Sequence, residues 1–213
     1  MHYNEIKNMI KKATALLLSI SPYLFWILLL FSFDSPDTAV ITLICAVIHE
    51  IGHELYIYIK HGRLFLPTGR LHGVKLGGAS CHGLNYREQA YLYASGPIAN
   101  IAAALIALPF CITCERYPLS FCIVNLATAA SNLIPIKGYD GYGILSSVVW
   151  RYASAERADT ILRSVSFSFT VSLCLLSLYL IDRFAEGFWI FAVFIFSLVS
   201  SIAEDLKNAN YEE

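Results

Sequence analysis

The sequence predicts an all-α integral membrane protein of six transmembrane helices, with a short cytoplasmic, membrane-associated strand or β-hairpin region after the second helix. Three observations carry this expectation. Of 213 residues, 57% are hydrophobic and 15% charged, where soluble domains run at about 45–50% apolar and about 25% charged. The mean hydropathy is +0.58. Apolar runs of span length recur along the chain, and Lys and Arg crowd into alternate connecting segments. The same numbers exclude a disordered, collagen-like or coiled-coil chain. A net charge of −1 leaves no basic field for nucleic acid.

A helix crossing the hydrocarbon needs about 20 apolar residues, within about 17–25. Charge-free runs of that kind cover residues 13–33, 89–114, 117–136, 164–181 and 187–203. A further run, 38–59, is interrupted only by His49, Glu50, His53 and Glu54. Lys7, Lys11 and Lys12 precede the first run as in a signal peptide. That run is too long for one and no A-x-A site follows it, so it is expected to be a retained span. What is left over is a basic N-terminal dozen, a loop over 60–87, a short helix near 142–150 and a polar tail at 208–213. One polytopic domain over 1–207 is expected, with no room for a PDZ or nucleotide-sensing module.

Orientation follows from the basic residues. With the N-terminus inside, twelve of them fall on inside segments: Lys7, Lys11, Lys12, Lys60, Arg63, Arg70, Lys75, Arg87, Arg151, Arg157, Arg163 and Lys207. Only Arg116 and Arg183 fall outside. A multi-pass protein of the cell membrane with both termini cytoplasmic is the expectation. Cys111 and Cys114 have the C-x-x-C spacing of a redox or metal pair. No second pair completes a zinc site, so they read as small fillers at the outer end of a span, with an outward-facing disulfide the alternative.

The second run carries the chemistry. An ionisable side chain within a span costs at least about 2.5–3.5 kcal/mol and marks a functional site by default. His49 and His53 are four residues apart, so a helix projects both imidazoles from one face, one turn apart. With Glu50 between them they make H-E-x-x-H: two zinc ligands and a carboxylate placed to take a proton from water. A hydrogen-bonded pair of core histidines is the structural alternative. A catalytic zinc wants three protein ligands and an open position. The metzincin pattern fails at Tyr56 and Ile59, and no thermolysin-like Glu follows. His61, His72 and His82 read as surface residues of the loop. The better third ligand is Asp140, in the segment 132–141, where Pro135, Gly138 and Gly141 break a span. Broken backbone at membrane depth is tolerated only where protein or a cavity surrounds it, and parity brings Asp140 to the same side as His53. Glu54 has two readings, a partner for an imidazole or a residue near the cytoplasmic mouth.

H-E-x-x-H in one span together with N-x-x-P-x-x-x-x-D-G, Asn132 to Gly141, in a later one resembles the site-2 protease family of intramembrane zinc metalloproteases. The layout is most similar to the minimal bacterial branch that processes sporulation factors. Ser95-Gly96-Pro97-Ile98-Ala99-Asn100 is similar to the family's A/S-G-P-x-x-N, and Leu76-Gly77-Gly78 to the glycine pair of its membrane-associated strand region. The resemblance implies one Zn2+ per chain held by His49, His53 and Asp140, with Glu50 the catalytic base. It also implies Asn132, Gly77 and Gly78 as substrate-binding positions and a membrane-anchored protein or peptide as substrate. An edge strand near 74–79 would hold that substrate extended by β-augmentation; ordinary loop turns are the other reading of this segment. Among rival classes, a di-iron desaturase needs more histidines than the six present. A non-proteolytic metal-binding protein or transporter leaves the Glu within the His pair unexplained.

Overall fold

The structure is a computed structural model that describes residues 35–62, 68–70, 73–75, 84–113, 116–184, 194, 195 and 199. The expected span at 13–33 lies outside the described residues, as do Gly77, Gly78, His72, His82, Cys114 and nearly all of 187–203.

Helix α1, Pro36–His61, contains H-E-x-x-H. Its start is built from Ser35, whose side chain accepts from the Thr38 N–H, then Pro36 and an acidic Asp37 in the first turn. Gly62, at φ 65°, ends it in the left-handed conformation and donates its N–H to the Tyr58 carbonyl. The caps carry the helix two residues past the expected 38–59 at each end.

The faces of α1 are inverted relative to a soluble helix. Val40, Ile44, Val47, Ile51, Leu55 and Tyr58 form one stripe at helical spacing, each about half exposed, while Ala39, Cys45, His49, Gly52, His53 and Ile57 are buried. Large apolar groups face outward, and small or polar groups face in. A surface of that kind is stable in hydrocarbon and not in water.

Two three-residue strands follow, β1 (Thr68–Arg70) and β2 (Gly73–Lys75), paired antiparallel with Gly69 opposite Val74. Helix α2, Tyr86–Ala107, opens on a reciprocal cap: Glu88 N–H donates to Asn85 Oδ1, and Asn85 N–H to the Glu88 carboxylate, both at 3.0 Å. The expected span 89–114 is corrected here. Pro109 has no N–H to continue the ladder and disfavours a helical Leu108, so the helix stops at Ala107 and a separate turn, α3 (Phe110–Thr113), follows. Pro97 is tolerated inside α2.

Helix α4 spans Arg116–Asn132 and is shorter than the expected 117–136 at its C-terminal end. The chain then turns through residues 133–139, with Gly138 at φ 102° and the Lys137 N–H donating to Ser166 Oγ at 2.9 Å. Helix α5, Asp140–Tyr152, begins directly after, so Asp140 is in its first turn. Gly141 therefore belongs to a helix, not to the break assigned from the sequence. Its reason is steric: a Cβ there would fall on the Leu133 carbonyl, and one at Gly143 on the Tyr93 ring. Helix α6, Ala155–Phe184, runs beyond the expected 164–181 at both ends. Its first turns lie outside the apolar run and carry an exposed pair, Arg163 Nε to Asp159 Oδ2 at 2.8 Å. On α6, Ala158, Leu162, Ser166, Thr170, Cys174 and Ser177 are buried, while Phe167, Phe169, Leu175 and Leu176 are exposed. This repeats the inversion seen on α1.

Three helices among the described residues, α1, α2 and α6, are long and apolar enough to cross a membrane. The chain is a membrane protein on these helices. By internal contacts, α1, β1, β2, α3 and the stretches 98–107 and 116–128 form one compact unit; 84–97, 129–132, α5 and α6 form the other. In the first unit Cys122 Sγ lies 3.6 Å from Cys111 Sγ and 3.3 Å from the Ala104 carbonyl oxygen.

Gly143→Ala is expected to destabilise the detergent-solubilised protein by about 1–3 kcal/mol through overpacking on Tyr93, and Tyr93→Leu should recover part of it. Gly141→Ala meets backbone, so trimming a side chain should recover nothing. Unfolding midpoints of the two single variants and the Gly143→Ala, Tyr93→Leu double variant check both statements.

Candidate metal centre

One helical turn places His49 above His53, and both side chains are buried, at 6% and 4% relative exposure. Two adjacent imidazoles in an apolar helix require polar partners, because an unsatisfied buried polar group costs several kcal/mol. The structure supplies them from α2 and α4. His49 Nδ1 lies 2.8 Å from Asn100 Oδ1. Asn100 Nδ2 donates to the Cys45 carbonyl at 2.9 Å and to Asn125 Oδ1 at 2.8 Å. Asn125 Nδ2 donates in turn to the Phe121 carbonyl at 3.0 Å. Both asparagines are fully buried.

The Nε2 atoms of the two rings meet each other. His49 Nε2 and His53 Nε2 are 3.1 Å apart, with the ring planes at 82°. Two nitrogens bound at about 2.0–2.1 Å to one tetrahedral zinc stand about 3.3 Å apart, so the pair already has the separation of two ligands on a single ion. One ligand atom from each of His49, His53 and Asp140 lies within 4.8 Å of the other two. Two imidazoles and a carboxylate are the donor types that zinc accepts, and three protein ligands leave one position open. The residues present therefore fit a metal ion.

The other expected site residues fall as follows. Glu50 and Glu54 are half-buried on α1, beside the histidine face. Asn132, half-buried, is the last residue of α4. His61 is exposed at the end of α1 and is not in the cluster. Gly77 and Gly78 lie outside the described residues. Sequence reasoning assigned no role to Asn100 and passed over Asn125. The available signal was an amide in an apolar run, Ile123-Val124-Asn125-Leu126, since polar residues within spans face the interior and pair there.

No protein-family model and no curated protein matches this chain. Among solved structures it is similar to the site-2 protease from Methanocaldococcus jannaschii, with 17% identity, 84% of each chain covered and a TM-score of 0.55. The likeness is one of fold, and it agrees with the family resemblance carried by the motifs.

Purified protein is expected to hold about one zinc per chain. Asp140→Asn keeps the shape, loses the charge and should lower that content well below one; His61→Ala should leave it unchanged. Metal analysis by mass spectrometry of the three proteins decides, and a full site in Asp140→Asn would remove Asp140 from the ligand set.

Proposed function

We propose that this chain is an intramembrane zinc metalloprotease of the site-2 protease family, with the layout of its minimal sporulation-factor-processing branch. Its substrates on this reading are membrane-anchored proteins or peptides, cut within or near their transmembrane segments. The observation that carries it is a buried imidazole pair with zinc-ligand spacing, grouped with a carboxylate, on a helix whose opposite face is suited to lipid. The fold shared with a site-2 protease supports it.

In the mechanism, His49, His53 and Asp140 would hold a zinc ion. Bound zinc supplies Lewis acidity, lowering the pKa of water toward about 7 and polarising a carbonyl. Glu50 is one residue from His49, about 100° further round the helix. It takes the proton from the water that attacks the scissile carbonyl and returns it to the departing amine. A helical substrate hides its carbonyls in its own hydrogen bonds, so it must be held extended. The pairing of β1 and β2 supports an extended backbone at 68–75, and on this reading Gly77, Gly78 and Asn132 contact the substrate backbone.

The proposal includes one polytopic domain over 1–207, six spans, and both termini in the cytoplasm of a multi-pass cell-membrane protein. In that topology α1 descends from outside to inside. His53 lies eight residues before His61, which is about 12 Å along the axis at about 1.5 Å per residue. The reaction centre then sits nearer the cytoplasmic end, where water enters at least cost.

Glu50→Gln should abolish cleavage of a membrane-anchored reporter while zinc stays bound; cleavage by that variant would remove Glu50 from the chemistry. Zinc binding without proteolysis in the unaltered protein would favour a metal-binding or transport role instead. Cleavage positions read by mass spectrometry should fall in the cytoplasmic half of the substrate span. Cuts in its outer third would overturn the topology or the Asp140 assignment.

A further inference from the structure

We infer that Asn100, itself held by Asn125, is a positioning residue that fixes His49 as its Nδ1–H tautomer and so presents an unprotonated Nε2 to the metal. The inference rests on the metal-centre reading above and assigns to α2 and α4 a role in readying a ligand carried by α1.

The argument starts from two atoms whose roles are not in doubt, the main-chain carbonyl oxygens of Cys45 and Phe121, which only accept. Asn100 places one end of its amide 2.9 Å from the Cys45 oxygen, so that end is the NH2 group and the other is the oxygen. Asn125 places one end 3.0 Å from the Phe121 oxygen, so its own oxygen is the atom 2.8 Å from Asn100 Nδ2. Both amide hydrogens of Asn100 are then committed, one to each acceptor, and the amide cannot flip without setting oxygen against oxygen twice.

What remains is Asn100 Oδ1, 2.8 Å from His49 Nδ1. An amide oxygen only accepts, so Nδ1 must carry the proton. In a neutral imidazole the other nitrogen, Nε2, is then a bare lone pair. That atom is the one 3.1 Å from His53 Nε2, on the side where the ligand atoms gather. Metal-bound histidines characteristically donate their second N–H to a carbonyl or carboxylate, which sets both tautomer and ring orientation. Here the acceptor is in place without the ion.

The same geometry shows what Asn100 prevents. Without an acceptor at Nδ1, the proton is free to sit on Nε2. There it takes up the His49 lone pair that a metal needs, whereas with Nδ1 protonated His49 Nε2 accepts across the 3.1 Å contact and keeps that lone pair. Asparagine meets the requirement with a neutral acceptor, adding no charge at a fully buried position.

The test uses full-length protein in detergent, labelled with 15N-histidine, with His49 assigned by the signal lost in His49→Gln. In zinc-free wild type at a pH where the ring is neutral, His49 should show a protonated Nδ1 and a bare Nε2. Asn100→Leu should lose that signature and weaken zinc binding about 10–100-fold in chelator competition. If Asn100→Leu does not fold, Asn100→Ala replaces it, with the same loss of signature expected. A wild-type His49 protonated at Nε2 overturns the inference. So does a folded Asn100→Leu, or in its place Asn100→Ala, that keeps both signature and affinity. Were wild type to bind no zinc, the metal-centre reading would fail separately, and the tautomer of the metal-free protein would still decide the role of Asn100.

Discussion

Hydrocarbon offers no hydrogen bonds, and that single constraint organises this protein. Every polar atom within a span must be satisfied by the chain itself. The lipid-suited faces of α1 and α6 are accordingly built of Val, Ile, Leu and Phe, while Cys, Ser, Thr, Asn and His turn inward. A pair of histidines is admissible on such a helix because α2 and α4 bring amides to it. Each of those two amides donates from its NH2 end to a main-chain carbonyl, so the polar interior has little freedom to rearrange.

The candidate centre combines two kinds of placement. His49 and His53 come from one turn of one helix, so their spacing is a property of the helix and needs no tertiary structure to define it. Asp140 comes from far along the chain, and its position depends on the turn through 133–139 and on the close approach of Gly141 to Leu133. The imidazole pair is thus written locally, and the place of Asp140 within its own unit is set by backbone geometry that permits no Cβ.

Much of this was readable in advance, for identifiable reasons. H-E-x-x-H was legible because helical periodicity turns a spacing of four into a shared face. The ends of α1 were nearly so, since Ser35-Pro36-Asp37 and Gly62 are cap residues. Hydropathy misjudged the third span because it measures apolarity and not helix continuity: Pro109 is as acceptable to a hydropathy sum as it is fatal to the ladder. It misjudged the start of α6 for the converse reason, since Arg157 and Arg163 end an apolar run without ending a helix. Gly141 was read as a breaker when its smallness serves contact. Asn125 went unnoticed because one amide barely lowers the average of the run around it, and its partner, 25 residues away on another helix, is invisible to any local window.

The hydroxyls and the amides of this interior differ in what they ask of their neighbours. Thr42, Thr128, Ser147, Thr170 and Ser177 each donate to a carbonyl three or four residues back on their own helix. A span carrying such groups is self-sufficient and can enter a bilayer alone. Asn100 is not: it needs Cys45 from one helix and Asn125 from another. In the two-stage view of membrane folding, in which helices insert first and associate afterwards, the serines and threonines belong to insertion and the asparagines to assembly. The histidine face is consequently a product of the second stage. Until three separate helices have met, His49 lacks the amide contact that it makes in the folded chain.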